Sequence, residues 1–280
     1  MQGQIIKILS NLYTVCDSDG MLYDCHVRGR FRNDNITPTV GDYVLFDNKN
    51  NYILEILDRK NTLSRPLVSN IDQAIIVTSC KKPDLELNLL DKLLVVLEFN
   101  NIEPIICLTK LDLLSSEELD YINDIRKYYK YIGYTVLDNT EIDELKKILK
   151  GKTTVLTGQT GAGKSSLINK LDANFNLATG EISKALGRGK HTTRHVELIE
   201  VHGGKILDTP GFSSIDLKDI SNEDIKNGFI EFFDYPCPFK DCMHINQKEC
   251  NVLDAVNKGE ILKSRYDNYK KFIESKINRR

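Results

Sequence analysis

The 280-residue chain predicts an α/β protein in three parts: an N-terminal OB-type β-barrel over 1–60, a central three-layer α/β domain over 61–214, and a mainly helical C-terminal domain over 215–280. Three observations lead to this prediction. The chain opens with short alternating segments between turn residues. It then alternates between apolar runs and helical repeats. Near its C-terminus it gathers three Cys and one His in one short stretch.

The first part contains five segments in which apolar and polar residues alternate. They are Ile5–Leu9, Tyr13–Cys16, Leu22–Val27, Asp42–Asp47 and Tyr52–Leu57. Five short strands in about sixty residues are typical of a small closed barrel. The stretch Arg28-Gly-Arg-Phe-Arg32 carries an aromatic ring between cations, which suits contact with RNA. A solvated hairpin explains the same stretch, and both readings stay open.

The second part alternates between strands and helices, which indicates a mostly parallel sheet covered by helices. The predicted strands are Gln73–Val77, Glu103–Leu108, Tyr134–Leu137, Thr153–Thr157, His195–Val201 and Lys205–Leu207. The predicted helices are Leu85–Phe99, Ser116–Tyr129, Glu141–Leu149 and Lys164–Leu171, with Ser115 as a cap of the second.

The stretch Gly158-Gln-Thr-Gly-Ala-Gly-Lys-Ser165 is a phosphate-binding loop between a predicted strand and a predicted helix. Its glycines let backbone N–H groups surround phosphate oxygens, Lys164 adds a positive charge, and Ser165 can bind Mg²⁺. We therefore assign nucleotide contact to the whole loop, namely Gly158, Gln159, Thr160, Gly161, Ala162, Gly163, Lys164, Ser165 and Ser166.

Two further motifs indicate which base is bound and how Mg²⁺ and the γ-phosphate are held. Thr109-Lys-Leu-Asp112 follows an apolar run, and the Asp112 carboxylate can accept from N1–H and the 2-amino group of guanine, which adenine cannot match. Lys110 is expected along the ring face, and Thr109 stands where such motifs usually have Asn. In Asp208-Thr-Pro-Gly211, Asp208 is expected to hold Mg²⁺ through water, and the Gly211 N–H to face the γ-phosphate.

The order of these motifs is reversed relative to a Ras-like domain, because the base-reading motif precedes the phosphate loop. Domain termini often lie close together, so joining the old ends and cutting elsewhere preserves the core. The sequence therefore predicts a circularly permuted Ras-like P-loop GTPase domain.

The residue after Asp208-Thr-Pro-Gly211 is Phe212, which cannot orient an attacking water as Gln does in Ras-type enzymes. The first switch is expected within 187–195. There Thr193, or alternatively Thr192, would complete the Mg²⁺ shell, and His191 is the polar candidate to reach the water. Four cations and no acid lie between Lys184 and His195. Catalysis, RNA contact and a structural role therefore all remain open for His191.

The C-terminal part places Cys237, Cys242, His244 and Cys250 in one loop. Three thiolates and an imidazole form the closed tetrahedral set of structural zinc sites. The other cysteines, Cys16, Cys25, Cys80 and Cys107, lie in apolar strands and are predicted to be core residues. In the final helical repeat, Leu262, Tyr266, Tyr269, Ile273 and Ile277 are expected to pack on one face.

The formal net charge is −2, so any affinity for nucleic acid must come from local patches. The N-terminus has no signal-peptide pattern, and no apolar run reaches the length of a membrane span. Seven cysteines without a secretory signal indicate reduced thiols, a metal site, or both. We expect a monomer without membrane association.

Taken together, the permuted order, Gly187-Arg-Gly-Lys-His-Thr-Thr-Arg-His195, Asp208-Thr-Pro-Gly-Phe212, the Cys and His spacing and Val40-Gly-Asp-Tyr-Val44 resemble the RsgA (YjeQ/YloQ type) family of small-ribosomal-subunit-dependent GTPases. The resemblance covers nearly the whole chain. It implies a bacterial cytoplasmic factor that binds the immature small subunit and its rRNA, hydrolyses GTP faster there, and leaves after hydrolysis. It also implies zinc on the Cys3His set and a catalytic His191. The segment 137–140 matches the family poorly, so no base contact is assigned there.

Two alternatives remain. A nucleotide-gated RNA-binding protein with negligible hydrolysis would use the same motifs as a switch. A P-loop kinase using ATP would share the phosphate loop, but Asp112 argues against it.

Overall fold

The computed structural model of the chain describes residues 1–27, 37–64, 67–172, 196–208 and 217–277. These residues form two compact units. The first combines Met1–Ile75, Thr140–Thr157 and Gly163–Ser214, and the second combines Ile76–Asn139, Gly158–Ala162 and Ile215–Arg280.

The elements follow one another in chain order. The strands are β1 Gln2–Leu9, β2 Leu12–Asp17, β3 Leu22–Val27, β4 Tyr43–Asp47, β5 Tyr52–Ile56, β6 Thr62–Ser64, β7 Leu67–Ser69, β8 Gln73–Ser79, β9 Glu103–Thr109, β10 Thr135–Asp138, β11 Thr153–Thr157, β12 Glu197–Val201 and β13 Gly204–Asp208. The helices are α1 Leu87–Phe99, α2 Ser116–Tyr131, α3 Ile142–Leu149, α4 Lys164–Leu171, α5 Asn222–Asn227, α6 Asn251–Lys258 and α7 Lys263–Ile277.

The first unit begins with the predicted barrel. Its strands are ordered β1-β2-β3-β5-β4, and an additional antiparallel pairing between β1 and β4 closes it. Strands β3 and β5 run parallel, and the other barrel pairs are antiparallel. Alternating residues point inward, so that Ile5, Val15, Val44, Phe46 and Ile53 are fully buried. The predicted OB-type barrel is confirmed.

The same unit carries the strand that precedes the phosphate loop. Strand β11 is buried along its whole length and pairs parallel with β13. Strands β12 and β13 form an antiparallel hairpin, and β12 continues antiparallel onto β1 of the barrel. A salt bridge of 2.8 Å between Lys7 and Glu197 reinforces that junction. The sheet is therefore less uniformly parallel than the sequence predicts.

In the second unit, strands are ordered β10-β9-β8, and β9 and β10 run parallel. Helix α1 buries an apolar face that includes Leu90, Leu93, Leu94 and Leu97. Helix α2 begins at the predicted cap, Ser115. Its side chain accepts from the Glu118 N–H, and Glu118 accepts from the Ser115 N–H in return.

The C-terminal helices belong to this second unit and share its core. Val95 and Val96 of α1 lie in one apolar cluster with residues of α5, α6 and α7, among them Ile225, Val252 and Tyr269. Tyr266, Tyr269 and Ile273 of α7 are buried, as their helical spacing predicts. The predicted mainly helical C-terminal part is confirmed.

A buried ionic network also joins α7 to α1 and α2. Arg265 is fully buried, and its Nε and Nη2 donate to the two carboxylate oxygens of Glu231 at 2.5 and 3.0 Å. Its Nη1 donates to Asp91 at 2.7 Å. Asp91 also accepts from Tyr129 Oη at 2.5 Å and from Asn268 Nδ2 at 2.7 Å. A buried charge is destabilising unless it is paired and hydrogen-bonded, and this network supplies both kinds of contact to Arg265 and Asp91.

Element boundaries mostly follow the sequence predictions. Strands β3 and β11 and helix α4 have the predicted bounds. Strand β12 begins at Glu197, after the predicted start at residue 195, which lies outside the described ranges. The β6–β7 hairpin is not predicted from the sequence, because three-residue strands show too little alternation to recognise. Cys25, Cys80 and Cys107 are buried as expected, and Cys16 is half-buried. In the described ranges no helix is long and apolar enough to cross a membrane.

Candidate nucleotide-binding site and metal centre

The phosphate loop lies between β11 and α4, as the motif requires. Gly158 has a φ of +125°, and a Cβ there would lie 2.1 Å from the Val77 carbonyl oxygen at the end of β8. No other residue fits this close backbone approach. Gly163 caps α4 in the left-handed conformation with a φ of +97°. The loop is therefore folded with its last glycine at the N-terminus of a helix, which favours an anion.

The side chains of the loop differ in exposure. Ala162 and Ser165 are buried, whereas Thr160, Gly161 and Ser166 are exposed. Burial lowers the pKa of Lys164, because its ammonium group is partly removed from water. A phosphate beside this ammonium group would favour its charged form.

The base-reading motif begins where β9 ends. Thr109 is the last residue of the strand and is buried, while Lys110 follows with a φ of +61°. Asp112 lies in a single 3-10 turn, Leu111–Leu113, and its side chain is exposed. A sharp turn directly after a buried strand presents the carboxylate at the carboxyl end of the sheet, where ligands of open α/β sheets bind.

The two motifs that stand in reversed order along the chain touch each other. Thr109 Oγ1 donates to the Ala162 carbonyl oxygen at 2.6 Å. Lys110 Nζ donates to the Gly161 carbonyl oxygen at 2.8 Å and also to the carbonyl of Lys82. The hydroxyl of Thr109 therefore supplies a brace to the phosphate loop at a position where such motifs usually carry Asn. This contact holds the base-reading loop against residues 161–162, which lead directly into Lys164.

Neighbouring polar contacts fix the base-reading loop further. Lys81 forms an ion pair with Glu118 at the start of α2. In the poorly matching segment 137–140, Asp138 accepts from Arg126 Nη1 at 3.0 Å, so this carboxylate serves a structural contact. The sequence assigns no base contact to that segment.

The predicted Mg²⁺ and catalytic residues are described only in part. Asp208 is the last residue of β13, and its backbone is paired with Glu197 of β12. His191, Thr192, Thr193 and Gly211 lie outside the described residues. Their roles remain predictions from the sequence, as does RNA contact by the 28–32 stretch, which also lies outside.

One contact to the phosphate loop is not predicted by any sequence motif. Gln159 Nε2 donates to Glu86 Oε2 at 3.2 Å, and Glu86 directly precedes α1 without a side-chain capping hydrogen bond to that helix. Glu86 stands 73 residues before Gln159 and belongs to no recognisable pattern, so only the folded chain reveals the pair.

The predicted metal cluster is assembled. The four ligand atoms of Cys237, Cys242, His244 and Cys250 all lie within 4.8 Å of one another. His244 Nδ1 is 3.4 Å from each of the three sulfurs. Cys250 Sγ lies 3.7 Å from Cys237 Sγ and 3.8 Å from Cys242 Sγ. Metal–sulfur bonds of about 2.3 Å in a tetrahedron give sulfur–sulfur edges of about 3.8 Å, so the cluster fits zinc.

Helix α7 supports this cluster. Tyr266 Oη donates to the His244 carbonyl oxygen at 2.8 Å, and Tyr269 Oη donates to that of Met243 at 2.5 Å. Burial lowers the pKa of His244 to about 4, so the imidazole is neutral at pH 7, the form that binds a metal. His244, Asn246 and Glu249 all have a positive φ near 55°. A ligand-bound loop can hold such sparsely populated conformations.

Comparisons with known proteins agree with these geometries. The model of the RsgA GTPase family matches residues 56–218, and that of the RsgA N-terminal domain matches residues 2–53. A relative from Streptococcus agalactiae serotype III (strain NEM316), named small ribosomal subunit biogenesis GTPase RsgA, is 47% identical over 285 residues, which cover 100% of this chain and 97% of the relative.

Two solved structures are also similar over the full chain. One is described as YloQ, a circularly permuted GTPase. It is 37% identical with a TM-score of 0.85, and the match covers 100% of this chain and 96% of that one. The other is YjeQ from Thermotoga maritima, 36% identical with a TM-score of 0.87, and the match covers 100% and 99%. The contact between Thr109 and the phosphate loop, the Cys3His cluster and these full-length similarities lead to one conclusion: the chain belongs to the RsgA family of circularly permuted GTPases.

Proposed function

We propose that this GTPase is a late-stage assembly factor of the small ribosomal subunit. It binds the subunit through rRNA, hydrolyses GTP faster when bound, and is released after hydrolysis. The observation that carries the proposal is the full-length similarity to relatives named for small-subunit biogenesis, at 47% identity over 100% of this chain. It acts in the cytoplasm as a monomer.

Guanine specificity in this proposal rests on Asp112, Lys110 and Thr109. The hydrogen bonds from Thr109 and Lys110 to residues 161–162 support it, because they fix the base-reading loop to the phosphate loop. In this proposal Gly158 to Ser166 would surround the phosphates, and the Gly211 N–H would face the γ-phosphate. Mg²⁺ would be held by Ser165 and Thr193 directly and by Asp208 through water. When bound it neutralises charge on the β- and γ-phosphates.

The three predicted parts take separate tasks in this proposal. The barrel over 1–60 contacts rRNA, the segment 61–214 binds and hydrolyses GTP, and the segment 215–280 carries one structural zinc on Cys237, Cys242, His244 and Cys250. The sulfur–sulfur distances of 3.7 and 3.8 Å support the zinc assignment. A closed set of four protein ligands leaves no position for substrate, so the metal has a structural role.

Phosphate release from GTP, measured with and without small subunits and with ATP as a control, tests the proposal. We expect slow release alone, at least tenfold faster release with small subunits, and none above background from ATP. If small subunits bind the GTP-loaded protein without accelerating release, the protein is a nucleotide-gated switch rather than a subunit-stimulated enzyme. If they neither bind nor accelerate, the ribosomal assignment is wrong.

His191→Ala is expected to lower subunit-stimulated phosphate release by about 10²–10⁴-fold, the usual contribution of a positioned acid–base group. GTP affinity should stay within about twofold, because His191 lies outside the phosphate and base loops in the sequence. Single-turnover release and nucleotide binding are measured side by side, with His202→Ala as the control for the loss of an imidazole elsewhere. Unchanged turnover per bound complex with weaker subunit binding would instead make His191 an RNA contact.

A further inference from the structure

A small pocket in the second unit is lined in part by three of the four metal ligands, Cys237, Cys242 and His244. Its volume is about 230 Å³, and its wall includes four Phe and Tyr rings and two lysines. The rings are Phe232, Phe233, Tyr235 and Phe239, and the lysines are Lys226 and Lys240. Pockets for drug-sized ligands occupy about 300–1,000 Å³. This pocket therefore has room for one small ring rather than for an extended ligand.

The exposure of two of these rings is not explained by folding. Phe232 and Phe233 are neighbours in one 3-10 turn, yet Phe232 is 5% exposed within the apolar cluster, whereas Phe233 is 66% exposed. Phe239 is 58% exposed and lies between the metal ligands Cys237 and Cys242. A large apolar ring in water adds little to stability, so both rings are available to a partner.

The backbone that carries Phe239 is held at both ends. Cys237 and Cys242 converge on the same cluster, and the Cys242 N–H donates to the Phe239 carbonyl at 3.2 Å. The ring is thus presented by a short, anchored loop. Little conformational freedom remains to be lost on binding, which favours affinity.

The charge of the pocket favours an anionic partner. Lys226 and Lys240 bring two positive charges to its lining, and the described lining contains no carboxylate. Cys237 and Cys242 also line it, but zinc with three thiolates has a single net negative charge, which the two lysines exceed. Exposed aromatic rings next to cations are typical of surfaces that stack the bases of a single strand while the cations meet its phosphates. An aromatic side chain of a protein would use the rings but would leave both lysines without a counter-charge.

We propose that this pocket binds one unpaired RNA base, stacked on Phe233 and Phe239, with the adjoining phosphates on Lys226 and Lys240. The choice of RNA as the occupant rests on the proposed function. Stacking does not depend on base identity, because every base has an aromatic face, so the site should tolerate purines and pyrimidines. Its role is to hold a single-stranded segment against the metal-bearing part of the protein.

Fluorescence of a 2-aminopurine base in a single-stranded RNA heptamer tests this site on the zinc-loaded full chain. We expect quenching on binding, and affinity about tenfold lower for Phe233→Ala and Phe239→Ala than for the wild type. Phe233→Tyr should bind as the wild type does, because the ring is retained. Phe99→Ala removes a ring that is 44% exposed on α1, outside the pocket, and should bind normally. Zinc content per chain confirms that each variant keeps its metal.

The outcomes separate this proposal from the proposed function. Equal affinity of wild type, Phe233→Ala and Phe239→Ala for the heptamer would overturn the pocket, even if small subunits still accelerate phosphate release. Conversely, ring-dependent quenching in a protein that small subunits neither bind nor stimulate would support the pocket and refute the ribosomal role. If a tryptophan-containing peptide binds more tightly than the heptamer and depends on the same rings, the pocket is a protein-docking site and the proposal is wrong.

Discussion

Replacing Arg265 with Met is expected to lower the free energy of unfolding by about 3–5 kcal/mol, because the two buried carboxylates lose their shared counter-ion. Arg265 pairs with Asp91 at 2.7 Å and with Glu231 at 2.5 Å, and all three side chains are at most 2% exposed. Chemical denaturation of the zinc-loaded protein measures the loss. Lys270→Ala serves as the control, because it removes only a solvent-exposed pair with Glu274 and should cost less than about 1 kcal/mol.

The same variant should show a specific pH dependence. Burial raises the pKa of Asp91 above its usual value even with Arg265 present, and Arg265 opposes that rise. Without the guanidinium group the pKa of Asp91 in the folded state rises further, while the pKa of Asp91 in the unfolded state is unchanged. The folded state then binds more protons between these two pKa values, so the stability of the variant falls as pH rises through that window. Arg265→Met should therefore be less destabilised relative to wild type at pH 5 than at pH 8.

A loss no larger than that of Lys270→Ala would contradict this account of the network. Combining Arg265→Met with Asp91→Asn tests it again, because it removes one of the two stranded charges. The double variant should be more stable than the sum of the two single losses predicts, since the residues interact directly.

Removing the zinc should lower the stability of the protein by about as much as Arg265→Met does, or by more. Structural zinc contributes about 10–16 kcal/mol of apparent binding free energy in zinc-finger peptides, and here the ligand loop carries positive-φ residues at His244, Asn246 and Glu249. We expect chelation, or Cys242→Ser, to unfold the 237–250 loop and to lower the melting temperature of the second unit by at least about 10 °C. Because Tyr266 and Tyr269 donate to this loop, the loss should extend into α7.

Calorimetry and hydrogen exchange check this expectation together. Amides of the 237–250 loop and of α7 should exchange faster after chelation. Cys80→Ala is the matched control, because Cys80 is a buried thiol outside the cluster. The Cys80→Ala variant should retain its metal and lose only the stability that the packing of the Cys80 side chain contributes. A chelated protein that melts and exchanges like the zinc-loaded one would mean that the cluster does not hold a structural metal.

Local patterns in the sequence predict much of this fold. Strands β2 and β3 are covered on one face, and their residues alternate. Strand β11 is buried on both faces, and its sequence, Thr-Thr-Val-Leu-Thr, contains only β-branched and apolar residues. The Cys3His set and the phosphate loop are equally visible, because their ligands lie within 14 and 9 consecutive residues. In both cases the interacting groups are close together along the chain, so their spacing in the sequence indicates their geometry in the fold.

Contacts between segments that are far apart in the chain cannot be recognised from the spacing of residues in the sequence. Arg265 and Asp91 are 174 residues apart, and a single Arg in a Lys-rich helix has the pattern of a solvated residue. The pairing of β12 with β1 likewise depends on which edges remain free once the barrel and the β12–β13 hairpin have formed. The hydrogen bond from Thr109 to Ala162 explains why Thr can replace Asn, but the sequence shows only the replacement.

We propose that Asp112 reads guanine in a site completed by a phosphate loop that follows it in the chain. Asp112→Asn tests it most directly, through the affinities for GTP and for xanthosine triphosphate. Xanthine carries an oxygen where guanine carries its 2-amino group, so an amide can donate where the carboxylate accepts. We predict that the variant loses at least about tenfold in GTP affinity and gains affinity for xanthosine triphosphate. The control Asp124→Asn, which removes an exposed carboxylate paired with Lys127, should bind both as the wild type does. Unchanged GTP affinity in Asp112→Asn, with no gain for the xanthine nucleotide, would contradict the reversed-order guanine site.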